Sequence, residues 1–343
     1  MKKFINNPSL VVEESLAGYI ACYPQYVRKL EGLRVLARKE KPKKPKVAII
    51  TGGGSGHKPA FIGYIGKGMV DGVAVGEVFA APPGDWVYKA TKELDMGMGT
   101  IYLYGNFSGD IMNFRLAKIL AEAEGHKVEE VIAYDDIASA PKESIKKRRA
   151  IAGEVILWKI AGAAAETGMS LSEVKEISEQ TAFNTRSMGV GTYPPIIPAT
   201  GHPGFILEED KMEIGVGHHG EPGIKKEKIK SADEVSSYLT ERILEELAFK
   251  HEDETALLIN GLGATPLQEL YIVARKVCSI LDSYKIKRVI TYVGEYFTSL
   301  EMAGFSVTLT KLDDRLKKLI LAEADSPCFK QFNLGGDYNG NKS

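Results

Sequence analysis

The chain is predicted to be an α/β protein with two α/β domains, each a mixed sheet flanked by helices, and an active site in the cleft at the strand ends. Three observations predict this. Short apolar runs rich in Val and Ile alternate with longer stretches whose apolar residues recur at helical spacing. Several of those runs stop in Gly-rich or polar turns, which is where open α/β sheets place their ligands. The 343 residues supply enough apolar material for two or three domains.

Taken in order, residues 11–26 are expected as a helix after the Asn7-Pro8 break, and 33–46 as a charged surface connector ending in Lys41-Pro-Lys-Lys-Pro-Lys46. Strands are expected at 47–51, 71–75, 101–104 and 131–134, and helices at 85–94, 113–124, 150–165 and 170–179. The Pro/Gly-dense stretch 192–204 reads as an interdomain connector or a long ordered loop. It places domains at 1–190 and 191–335, followed by a flexible tail at 336–343. The second half repeats the pattern, with strands at 212–216, 255–259, 288–293 and 306–309, and helices at 232–247 and from Pro266 to Leu281. The acidic pairs Asp135-Asp136 and Asp313-Asp314 read as solvated turns.

Composition excludes several function classes. A net charge of −1 gives no electrostatic reason for binding nucleic acid or an anionic membrane. The three cysteines, Cys22, Cys278 and Cys328, form neither a disulfide framework nor a zinc spacing and suit a reducing compartment. No apolar run is long enough to span a bilayer, and the first residues lack a signal-type apolar core. A cytoplasmic protein is expected.

The chemistry concentrates in turns after strands. Thr51-Gly-Gly-Gly-Ser-Gly-His57 follows the first strong apolar run, and its glycines let a ligand approach the backbone. It is not a Walker A loop, because Gly52 plus five is His57, and it lacks the third glycine of the dinucleotide fingerprint. No Gly-x-Ser-x-Gly elbow surrounds Ser55. Gly105-Asn-Phe-Ser-Gly-Asp110 is a second such turn, where Asp110 serves either as a helix cap or as a base. Gly217-His-His-Gly-Glu-Pro-Gly223 is a third. His57, Asp110 and His219 can therefore converge on one cleft and supply a proton shuttle, a base and a nitrogen nucleophile. Spacing alone leaves His218 and His219 as competitors for the last role. Adjacent histidines without a spaced third ligand are weak metal evidence, so no metal site is assigned.

Six blocks carry a resemblance. They are Thr51-Gly-Gly-Gly-Ser-Gly-His57, Gly109-Asp110, Asn184-Thr-Arg-Ser-Met-Gly189, Gly217-x-His219-Gly-Glu-Pro-Gly-Ile224, Leu262-Gly-Ala-Thr-Pro266 and Thr298-Ser-Leu-Glu-Met-Ala-Gly-Phe-Ser306. In this order, over almost the whole chain, they resemble the substrate-binding K subunit of the dihydroxyacetone kinases. The resemblance implies a two-domain α/β fold, a homodimer, and capture of dihydroxyacetone or a related short ketose as a covalent hemiaminal. His219 matches the capturing histidine, and His57 and Asp110 match the acid/base residues. Gly54, Ser55, Gly56 and His57 match the substrate turn. No aspartate cluster for Mg²⁺ is found, so this chain is expected to bind no cofactor itself. ATP or ADP with Mg²⁺ would sit on a nucleotide-binding L subunit, fed directly or by a phosphocarrier M subunit of a phosphotransferase system.

Three positions depart from the family and are candidate specificity residues. Lys58 stands where Glu is usual, Gly105 where dihydroxyacetone-specific members carry Lys, and His218 where an apolar residue is usual. Reversing one charge and removing one long side chain suggests a larger ketose, such as a four-carbon sugar, or a modified triose; the other reading is that Lys58 simply replaces the missing cation. A ketose-binding sensor or coactivator without kinase activity is the alternative from another class.

Overall fold

The computed structural model describes residues 2–334, so the expected tail at 336–343 lies outside the described residues. In the first half, β1 (Val27–Lys29), β2 (Val35–Arg38), β3 (Ala48–Gly53), β4 (Gly72–Val75), β5 (Thr100–Gly105) and β6 (Val128–Ala133) form one sheet in the order β1-β2-β4-β3-β5-β6. The last four of these neighbours run parallel, while β1 and β2 join antiparallel. Helices α1 (Val11–Cys22), α2 (Gly84–Leu94), α3 (Ser108–Ala123), α4 (Gly153–Glu166) and α5 (Leu171–Phe183) accompany it. The second sheet contains β7 (Thr185–Tyr193), β8 (Lys211–Ile214), β9 (Lys225–Lys228), β10 (Glu254–Gly261), β11 (Lys287–Gly294) and β12 (Ala303–Leu312), ordered β11-β10-β12-β7-β8-β9. It is antiparallel except for β10 beside β11. Helices α6 (Ala232–Leu247), α7 (Leu267–Ser283) and α8 (Asp314–Ile320) and the hairpin β13 (Ala324–Ser326)–β14 (Phe329–Gln331) complete the fold. Two mixed sheets with flanking helices are the architecture expected from sequence.

Helix α4 organises the layers. Every residue from Gly153 to Ala165 is buried, Glu154 and Lys159 included, so this mostly apolar helix belongs inside the protein. One continuous core joins α4 to Ile49, Leu103 and Val131 on one side and to Ala256, Leu258 and Leu312 on the other. Helices α2 and α3 cover the opposite face of the first sheet, and α6 and α7 that of the second. Each large apolar side chain so buried contributes about 1.5–3 kcal/mol.

Several local expectations change. β2 lies inside the stretch expected as a charged connector, because Val35, Leu36 and Ala37 are fully buried. Lys46 is also buried, and its ammonium pairs with Asp71 at 2.5 Å. β7 was not expected as a strand, and the position chosen for the boundary, residue 190, falls inside it. β7 pairs with β12 from Thr185 onward, and hydroxyl bonds between Ser187 and Thr308 (2.7 Å) and Thr185 and Thr310 (2.9 Å) replace apolar packing. Asp135 and Asp136 are not a solvated turn. Asp135 accepts hydrogen bonds from the Ile151 and Gly153 amides at the start of α4, and Asp136 pairs with Arg149 at 2.8 Å.

Close packing around α4 is testable at Gly162, where an added methyl would stand 2.3 Å from the Met69 carbonyl oxygen. Gly162→Ala is expected to cost about 2 kcal/mol of stability. A urea midpoint equal to that of the wild type would show that α4 can shift freely.

Candidate functional site

The site lies at the carboxyl ends of β3 and β5, where the second half of the chain closes over the first. After β3 the chain runs so close to the segment around Phe79 that a Cβ at position 54 would lie 2.8 Å from the Phe79 Cα. Only glycine fits there. The chain then turns through Ser55–His57 and presents the His57 ring, which is 2% exposed. From the other half, the segment after β11 comes down on this turn. Asn260 on β10 anchors it, accepting from the Tyr296 and Phe297 amides and donating to the Phe297 carbonyl. The Leu300 amide donates to the Gly56 carbonyl, and the Thr298 hydroxyl donates to the Lys58 carbonyl.

Hydrogen bonding fixes both imidazoles. His57 Nδ1 lies 2.8 Å from the Thr298 carbonyl oxygen, which can only accept, so Nδ1 carries a proton. His219 Nδ1 lies 2.8 Å from Glu221 Oε1, and the His219 amide donates to Glu221 Oε2 at 2.9 Å. Both rings therefore turn Nε2 into the cavity, and the two Nε2 atoms are 3.0 Å apart. Two bare lone pairs at that distance would repel, so one proton lies between them. Burial, then the neighbouring His219 and His218, holds the ionisation of His57 well below the usual histidine range. Burial raises the Glu221 carboxyl, but the hydrogen bond and charge of His219 outweigh it and bring it down to about 2. Glu221 is therefore a carboxylate and accepts from His219 Nδ1, while His57 resists holding a second proton. Phe61, Phe79, Phe107 and Phe297 wall these rings with ring centroids 4.9–6.4 Å away and shield them from water.

Asp110 is the third residue of α3, not its cap; Phe107 occupies the cap position. Its Oδ1 is buried without a partner, and burial pushes its carboxyl up to about 7 against the opposing charge of His219. The cavity is small, with about 20 Å³ of free space, and is lined by Gly52, Gly53, Gly54, His57, Phe61, Gly105, Phe107, Asp110, Glu154, His218, His219 and Phe297. His57, Asp110, His219, Gly54, Gly105 and His218 are therefore brought together. Ser55, Gly56 and Lys58 stand behind this lining. The Lys58 amine donates back to the Ser55 carbonyl at 2.8 Å, and burial lowers its pKa to about 8.

Sequence reasoning missed Glu221, Thr298 and Glu154. Glu221 had a signal, as the only carboxylate in the glycine-framed histidine turn. Glu154 also had one, as an acid at the start of a helix whose next four residues are all apolar. Thr298 acts through its carbonyl and carries no side-chain signature for that role. Among the described residues, no cluster of three or more His, Cys, Asp or Glu side chains could hold a metal ion, and no helix is long and apolar enough to cross a membrane.

His218 is stacked on Phe297 with centroids 4.4 Å apart, and neither ring nitrogen has a partner. Burial, then the charge of His219, lowers its pKa from 6.5 to about 3. Below about pH 6.5 the unfolded chain binds a proton that folded His218 refuses. Stability should therefore fall from pH 6.5 toward 3, at up to about 1.4 kcal/mol per pH unit from this residue. His218→Leu is expected to remove that share, so its urea midpoint should change less than that of the wild type between pH 7 and pH 5. Parallel curves would show that His218 is protonated in the folded protein.

Comparison with known proteins agrees with this geometry. The family model of the Dak1 domain matches residues 17–328. The dihydroxyacetone-binding subunit of PTS-dependent dihydroxyacetone kinase 1 from Listeria innocua is 42% identical, over 92% of this chain and 95% of that one. An L-erythrulose kinase from Pectobacterium atrosepticum is 36% identical, over 97% of this chain but 57% of that longer protein. Among solved structures, a dihydroxyacetone kinase operon co-activator superposes with a TM-score of 0.88 at 31% identity, over 93% of this chain and 98% of that one. With the family model spanning nearly all of its described length, the chain belongs to the dihydroxyacetone kinase K-subunit family.

Proposed function

We propose that this chain is the ketose-binding subunit of a dihydroxyacetone kinase and holds its substrate as a hemiaminal on His219. The observation that carries this reading is the pair of Nε2 atoms, 3.0 Å apart in a cavity also lined by Asp110. A carbonyl inserted between the rings meets a nucleophile on one side and a proton on the other. As His219 Nε2 bonds to the carbonyl carbon, the π pair of the C=O moves to oxygen and takes the shared proton through His57 Nε2. His57 ends neutral and the sugar oxygen becomes a hydroxyl, while the positive charge stays on the His219 ring, whose Nδ1–H faces the Glu221 carboxylate that balances it. Only a carbonyl compound can be held this way, which separates ketoses from polyols. Capture also fixes the terminal hydroxyl, trading translational freedom for effective molarity.

Phosphoryl transfer then needs a base and a donor. Asp110 takes the proton of the terminal hydroxyl as that oxygen bonds to phosphorus and the bond to the leaving group breaks. The donor is ATP, or ADP rephosphorylated by a phosphocarrier M subunit, held with Mg²⁺ on a partner L subunit. The chain would act as a homodimer in the cytoplasm. The close likeness to a co-activator structure supports a second reading, a ketose sensor without transfer. Asp110 at the cavity, with its unpartnered Oδ1, favours the kinase, because a sensor needs no base there.

Intact mass after incubation with dihydroxyacetone should show one added ketose per chain, absent in His219→Ala; equal adducts in both would end the capture reading. With an L subunit and donor, Asp110→Asn is expected to keep the adduct and lose at least about 100-fold in transfer rate. Because Asp110 acts as a base only when ionised, the wild-type rate should climb through about pH 7 as pH rises. A wild-type protein that forms the adduct but transfers nothing with any L subunit would be the sensor.

A further inference from the structure

Capture and transfer leave two buried side chains of the cavity unused. Glu154 is 1% exposed and His218 is 2% exposed, and both line the cavity. Glu154 Oε2 and both ring nitrogens of His218 have no hydrogen-bond partner. Buried polar groups are nearly always paired, so three free polar atoms facing one cavity point to a ligand that pairs them. Glu154 owes its place to Gly105: a Cβ there would lie 2.6 Å from Glu154 Oε1. The missing side chain at position 105 is thus filled by a carboxyl reaching in from α4.

The chemistry of the pair selects the ligand. Burial, then the nearby Asp135 and Asp110, holds the Glu154 carboxyl well above the usual range, so it presents one O–H donor and one acceptor. Neutral His218 likewise offers one N–H and one lone pair. Groups that both donate and accept suit hydroxyls. A phosphorylated ketose would bring negative charge beside Asp110, and the cavity lining contains no Lys or Arg to receive it. A triose has three oxygens. The carbonyl oxygen takes the proton shared by His57 and His219, and one hydroxyl faces Asp110. The single hydroxyl that remains cannot bond both His218 nitrogens, which point away from each other on one ring, together with the Glu154 carboxyl.

We propose that Glu154 and His218 form a subsite for the hydroxylated arm of an uncharged ketose longer than a triose. The proposal rests on the ketose-capture reading and names the substrate class of that site.

Its test compares the affinities of the wild-type protein, read by calorimetry, for dihydroxyacetone, both enantiomers of erythrulose, and 4-deoxyerythrulose, which lacks the distal hydroxyl. One erythrulose enantiomer is expected to bind at least tenfold more tightly than dihydroxyacetone and than its own deoxy analogue. In Glu154→Ala and His218→Leu that ratio should fall to within threefold of unity. The ligand series decides the question even if a variant does not fold. Ketoses that all bind within threefold of one another, or variants that keep the wild-type ratio, overturn the subsite. Failure of every ketose to bind overturns the capture reading itself.

Discussion

The structure depends on the hydrogen bond from His57 Nδ1 to the Thr298 carbonyl, which ties a glycine turn of one half of the chain to a segment of the other. It sets the His57 tautomer and therefore aims Nε2 into the cavity. The neighbouring backbone bonds, from Leu300 to Gly56 and from Thr298 to the His57 carbonyl, hold the same two segments in register. Neither half has a complete site without the other. His57 and Asp110 come from the first sheet, and His219, with its Glu221 anchor, comes from the second.

Around this join the protein excludes water and keeps polar atoms. The phenylalanine walls lower the local dielectric, which strengthens each remaining electrostatic contact and makes each unpaired group costly. Asp110, Glu154 and His218 keep unpaired atoms under those conditions. A natural core tolerates few such atoms, so their clustering around one small cavity marks them as groups held for a ligand. The opposite shifts have a common origin. Burial raises the Asp110 and Glu154 carboxyls and lowers the His57 and His218 imidazoles, in each case favouring the uncharged form.

Much of the fold was legible in the sequence where patterning follows burial on one face or all round. The strands ending at the Gly52 and Gly105 turns, and helices α2, α6 and α7, were read close to their observed bounds. β7 was not, because its buried face uses Thr185 and Ser187 in a hydroxyl ladder, which resembles a loop composition. β2 was hidden by the Lys and Arg around it. Asp135 and Asp136 looked solvated because their partners, the α4 amides and Arg149, become neighbours only through tertiary folding. The catalytic candidates were legible because glycine-framed turns advertise them. Glu154 was harder to find: its role depends on what position 105 lacks, a relation between two residues far apart in sequence.

The contact between the two Nε2 atoms also governs what happens when no sugar is present. With a proton lodged between the rings, the lone pair that would attack is masked by its neighbour instead of standing open in the cleft. A strong nucleophile is thereby kept from stray electrophiles such as reactive aldehydes or alkylating agents. On the proposed capture reading, a ketose that wedges the rings apart unmasks it, and the resting site is its own safety catch.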